Sequence, residues 1–127
     1  MANMYNVTLI FNPDKLKAVI SEFNKLGITG ITVTHVEGCG AQHGFKGYYR
    51  GVETEIQLLP KVKVEVIVSA IPVDKVIETA AAVLDSKEIG AGKIFVYDVE
   101  KVYRVRTKET DFDALCCTNR KHPRRWT

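Results

Sequence analysis

Twice along this chain the spacing of apolar residues passes from two, to about 3.6, and back to two. That restricts it to two strand–helix–strand units. Tyr5, Val7, Leu9 and Phe11 alternate with Asn6, Thr8 and Ile10 as in a half-buried strand. Asn12-Pro13 reads as an N-cap followed by proline at the first helical position, and Asp14 adds a negative charge to the first turn. Leu16, Val19, Ile20, Phe23 and Leu26 form a helical stripe that Gly27 stops. Thr29–Val36 is β-branched and predicts a second strand. Strand character returns from about Glu55 to Val68, with Val62, Val64, Val66 and Val68 on one face and Lys61, Lys63, Glu65 and Ile67 on the other. Pro60 cannot donate to a ladder, which places it at a sheet edge or where the strand leaves the body. Pro72 opens a second helix with the stripe Val73, Val76, Ile77, Ala80, Ala81 and Leu84. Ile94–Val99 is a further strand, and Tyr103–Arg106 either continues it after a bend or forms a short extra one. The order β-α-β-β-α-β is the ferredoxin-like α+β arrangement, with both helices on one face of the sheet. That fold hosts many functions and decides none.

Between the second and third strands lies a stretch with neither period, Gly38–Glu53. It holds five of the nine glycines, together with Lys46, Arg50, Tyr48 and Tyr49. A connection this long in a compact domain is functional or disordered, and we read it as the working part of the molecule. The 127 residues fit one domain, about 1–108, followed by a tail at 109–127 expected to be flexible. The net charge of +3 belongs to that tail. Without Arg120, Lys121, Arg124 and Arg125 the balance is +3 − 4 = −1, which argues against a nucleic-acid partner. Cys39, Cys116 and Cys117 show no C-x-x-C spacing, and His35, His43 and His122 are scattered, which argues against a zinc site or a disulfide framework. With no apolar run long enough to span a bilayer and no signal-like N-terminus, the expected compartment is the cytoplasm.

Two places could bind an anion. In Ser86–Lys93 the glycines Gly90 and Gly92 let the backbone approach a phosphate, and Lys93 supplies charge, though the spacing is not that of a Walker A loop; a plain turn is the bland alternative. Arg104 and Arg106, two apart on a strand, would share a face about 7 Å apart, with either an anion between them or a solvated edge as the explanation. Gly38–Gly44 is not a dinucleotide fingerprint, because its last glycine is one residue late and no helix follows. No nucleophile–base pair stands at a recognised spacing, so catalysis is not expected.

Several separate motifs carry a resemblance. They are Gly27-Ile-Thr-Gly-Ile-Thr-Val-Thr, Tyr49-Arg-Gly-Val-Glu53, Leu59-Pro-Lys-Val-Lys-Val-Glu65, Ile89-Gly-Ala-Gly-Lys-Ile-Phe-Val, and Tyr103-Arg-Val-Arg-Thr107. Over roughly residues 4–109 the chain resembles the P-II nitrogen-regulatory signal-transduction proteins. The resemblance implies a homotrimer that binds ATP and ADP in clefts between subunits and has no catalytic turnover of note. A T-loop, here about 38–54, would control a membrane transporter, of the ammonium type first, or a nitrogen-metabolism enzyme. It implies phosphate contacts from Gly90, Gly92, Lys93, Arg104 and Arg106, and base and ribose contacts from Ile10, Gly30, Thr32, Gly38, Glu65 and Ile67. Gln42 would help hold Mg²⁺ with nucleotide and 2-oxoglutarate, Lys61 would pair with a 2-oxoglutarate carboxylate, and Tyr49, Arg50 and Gly51 would meet the partner. The chain departs from the family pattern at several points: Thr54 stands where the uridylylated tyrosine falls, Val52 where some relatives carry a modified serine, and Ala41, Cys39 and Ala91 replace an arginine, an aromatic residue and an aspartate. The runner-up reading is a P-II-like ATP, ADP or AMP sensor that ignores 2-oxoglutarate and controls a different transporter. A small phosphohydrolase on the same fold is third.

Overall fold

The computed structural model describes residues 3–39, 58–87 and 91–115. Four strands, β1 (Met4–Phe11), β2 (Ile31–Gly38), β3 (Leu59–Val68) and β4 (Lys93–Val99), form one sheet in the order β2-β3-β1-β4. All three pairings are antiparallel. Two helices, α1 (Leu16–Lys25) and α2 (Val73–Leu84), supply Val19, Phe23, Val76, Ala80 and Leu84 to a single core. There they meet Val7, Leu9, Phe11 and the four valines of β3, Val62, Val64, Val66 and Val68, all buried. Both helices therefore cover one face, as the ferredoxin-like order requires. The register puts Thr8, Glu65 and Thr32 in one row of the other face, and Ile10, Lys63, Thr34 and Lys93 in the next.

Local chemistry explains the element ends. A 3-10 turn, Pro13–Lys15, precedes α1. The helix stops in a Schellman turn, with Gly27 N–H donating to Asn24 O and Ile28 N–H to Phe23 O, both at 3.0 Å. Gly27 takes φ +95°, which a side chain would resist. This turn and the Ile31 N–H bond to Thr29 O move the start of β2 two residues later than periodicity predicts. Gly38 correspondingly stays in the ladder, opposite Leu59. The predicted strand residues 55–57 lie outside the described ones.

Pro60 falls on an interior strand, but β1 pairs only as far as Val62, so the proline sits beyond the end of its neighbour on that side. In α2 the predicted Ala81 is exposed and Val83 packs on the core instead. The buried line runs through Val76, Ala80 and Leu84, and position i+7 from Val76 lies on it while i+5 does not.

After β4 the expected strand continuation does not form. Tyr103 makes a single bridge to Thr110, residues 105–107 turn, and a short helix, α3 (Asp111–Leu115), follows. No described helix is long and apolar enough to cross a membrane.

Candidate functional site

A groove of about 900 Å³ opens where β2 begins and β3 ends. One wall is the Gly27–Gly30 turn with Thr32; the others are Ile67–Ile71, Arg104 and the residues Phe112–Leu115. Four of the residues singled out in the sequence meet here: Gly30, Thr32, Ile67 and Arg104. Glu65 is directly opposite Thr32 in the ladder. A Cβ built on Gly30 would touch nothing within 4 Å, so the chain's own packing does not demand a glycine at that position.

Arg104 is held by the segment that follows it. Its Nη2 donates to Ala114 O at 2.5 Å, its Nη1 lies 3.7 Å from Glu109 Oε1, and its backbone N–H donates to Glu109 O at 2.9 Å. The Arg104 and Glu109 side chains are 20% and 22% exposed, so the pair is largely shielded from water. Thr107 Oγ1 fixes the same carboxylate oxygen of Glu109 at 2.7 Å. The expectation that Arg104 and Arg106 share a strand face is therefore corrected. Lys108 N–H closes a turn onto Arg104 O at 2.7 Å, and Arg106 points from that turn, exposed and outside the groove lining.

The remaining described candidates gather at the opposite end of the sheet. Lys93 pairs with Ile10, whose other neighbour is Lys63. Gly92 precedes them with φ +137° and is pressed on the backbone, since a Cβ there would lie 3.1 Å from Ile10 O and from Phe11 Cβ. Lys61 donates from Nζ to Asn12 Oδ1 at 2.7 Å, and its Cγ lies 3.5 Å from the Cβ position of Gly38.

From the Ile10–Lys93 row to the Asn6–Ile67 row is four residues, about 13 Å along the strands. Gly30 and Thr32 belong to one edge of the sheet and Gly92 and Lys93 to the other, three strand spacings or about 14 Å apart. One chain thus presents two half-sets of candidates rather than a single cluster. Gln42, Tyr49, Arg50, Gly51 and Gly90 lie outside the described residues. Among the described residues no group of three or more His, Cys, Asp or Glu could hold a metal ion.

Sequence reasoning missed Asn12 and Glu109. Asn12 was read as a helix cap, yet its side chain makes no capping bond and serves Lys61. Glu109 stands at the start of the tail expected to be flexible; its spacing from Thr107 was the only local signal, and its partner Arg104 is set by the turn between them.

The sequence model of the family described as nitrogen regulatory protein P-II matches residues 4–109. The chain belongs to the P-II family. It is 46% identical over 112 residues to the nitrogen regulatory protein P-II of Pasteurella multocida (strain Pm70), covering 88% of this chain and all of that one. Among solved structures it resembles B. subtilis GlnK, with a TM-score of 0.76 at 38% identity over 90% of this chain and 100% of that one. The B. subtilis GlnK-ATP complex matches with the same TM-score at 34% identity, over 91% of this chain and 99% of that one. The P-II match takes in every strand, α1 and α2. It ends at Glu109, so α3 lies beyond it.

Proposed function

We propose that this chain is a P-II regulator that binds ATP and ADP in clefts between the subunits of a homotrimer and passes their state to a partner through the T-loop at about 38–54. The observation that carries the reading is the groove in which Gly30, Thr32, Ile67 and Arg104 converge beside Glu65. The phosphate-side pair Gly92 and Lys93 stands on the opposite sheet edge, as suits a cleft lined by two copies. The likeness to a GlnK-ATP complex supports the same ligand class. Ile10 and Gly38 complete the base and ribose side of this reading, and Gly90 and Arg106 the phosphate side. Gln42 takes Mg²⁺, and Tyr49, Arg50 and Gly51 meet a membrane transporter, of the ammonium type first, or a nitrogen-metabolism enzyme. The protein works in the cytoplasm, peripheral to the membrane when docked, by binding rather than turnover.

Titration calorimetry with ATP, ADP and AMP, with and without Mg²⁺ and 2-oxoglutarate, tests it. We expect saturable ATP and ADP binding, and no heat with any adenine nucleotide at millimolar concentration would sink the proposal. In the second reading the chain senses nucleotide without 2-oxoglutarate and controls a different transporter. The Asn12 bond to Lys61 supports that version to this extent: it turns one of the three ammonium donors toward the chain itself. Retained ATP heat with no change on adding 2-oxoglutarate selects it.

The trimer has its own test. The sheet face away from the helices exposes Phe95 (39%) and Tyr97 (53%) and also carries the half-buried Ile10 and Ile67. Such a face suits burial against another copy. Phe95→Arg should shift the sedimentation coefficient to that of a smaller species and weaken ATP binding with it. A Phe95→Arg protein that sediments as the wild type does would remove this face from the interface.

A further inference from the structure

We propose that Glu109–Leu115 is a latch in cis: it holds Arg104 at the groove that Gly30, Thr32 and Ile67 also line, and a nucleotide must release it to engage the same arginine. This rests on the nucleotide reading above and adds a control through α3, which lies beyond the residues that the family model matches. The latch has two anchors. At the far end Arg104 Nη2 donates to the carbonyl of Ala114 in α3. At the near end Asp111 N–H donates to Val102 O at 2.8 Å, Val102 N–H donates to Asp111 Oδ1 at 3.2 Å, and Lys101 lies 3.7 Å from Asp111 Oδ2.

Ala114 is buried, at 8% exposure, yet stands outside the core cluster between sheet and helices, as does Met4 at 2%. Met4 shares the parity of Thr8 and Ile10 and so belongs to the sheet face that the helices leave open.

Competition follows from charge. A phosphate that hydrogen-bonds the guanidinium must come within about 2.9 Å of it. Glu109 already places a carboxylate 3.7 Å from Nη1, held there by Thr107. Two anions at one guanidinium repel, so phosphate and Glu109 compete for it. Once Glu109 leaves, the short hairpin that presents α3 loses its hold on Arg104.

The full-length chain tests this by calorimetry and hydrogen exchange. Glu109→Gln removes the competing charge and should bind ATP about 5-fold more tightly than the wild type. Asp111→Ala, which loosens the near anchor without touching Arg104, should move affinity in the same direction. In the wild type, saturating ATP should speed exchange of the Asp111 amide, which donates to Val102 O, and of the Asp113 amide, which donates to Thr110 O. ATP binding seen only in the variants would support the latch still more directly. Wild-type binding with no gain in either variant overturns the latch and leaves the nucleotide reading standing. Slower exchange at Asp111 and Asp113 with ATP also overturns it, since α3 would then close over the ligand. No binding by any of the three proteins overturns the nucleotide reading, and the latch with it.

Discussion

Gly92→Val should cost the domain about 3 kcal/mol, from a side chain forced to positive φ and from overpacking. The backbone sits at φ +137°, and the new Cβ would lie 3.1 Å from a carbonyl oxygen and from Phe11 Cβ, with Leu84 Cδ1 at 3.5 Å behind. Neither β1 nor the core can retreat, because Ile10 is paired on both sides and Phe11 is fully buried. The urea midpoint should fall accordingly, and Lys93, the next residue, should be displaced from the phosphate position proposed for it. Gly30→Ala is the comparison. Its Cβ meets nothing within 4 Å, so its stability should stay within about 0.5 kcal/mol of wild type. Equal midpoints for Gly92→Val and wild type would show that the turn before β4 has another conformation.

The second large effect belongs to Phe11. It ends β1 opposite Val62 and is among the largest side chains with no exposed surface. Phe11→Ala should cost about 3–5 kcal/mol, from lost burial plus the cavity left where the sheet and both helices meet. That is a large part of the roughly 5–15 kcal/mol available to a domain. Denaturation must be compared at one protein concentration, since assembly adds to apparent stability. A loss below about 1 kcal/mol would mean that the neighbours collapse into the space, which a packed antiparallel sheet resists.

These two positions also show how unevenly the sequence revealed the molecule. Phe11 was legible as core because alternation is a local property: a strand turns successive side chains to opposite faces whatever surrounds it. The same holds for the valines of β3 and the stripe of α1, which alone determine that the chain is α+β and which faces are apolar. The Schellman stop at Gly27 was legible for the same reason, since a helix end is decided by the few residues that close it. The resemblance added the family and named candidate residues. It did so because close approach of a backbone to a ligand, as proposed for Gly30, restricts residue type and leaves a mark in the sequence.

Contacts between distant residues left no such mark. Lys61 and Asn12 stand 49 positions apart, and nothing in either neighbourhood predicts their bond. Arg104 and Arg106 looked alike, two apart in a β-branched context, and only the turn at 105–107 gives one a shielded partner and leaves the other exposed. By itself the sequence determined the four strands and the two long helices, most of their apolar faces and the family, because these follow from local periodicity and from residue types required one position at a time. The tertiary structure alone decided that the candidate site residues divide between two edges of one sheet, and that the base-side groove is walled by α3. Those facts depend on strand order and chain path, which no local spacing encodes.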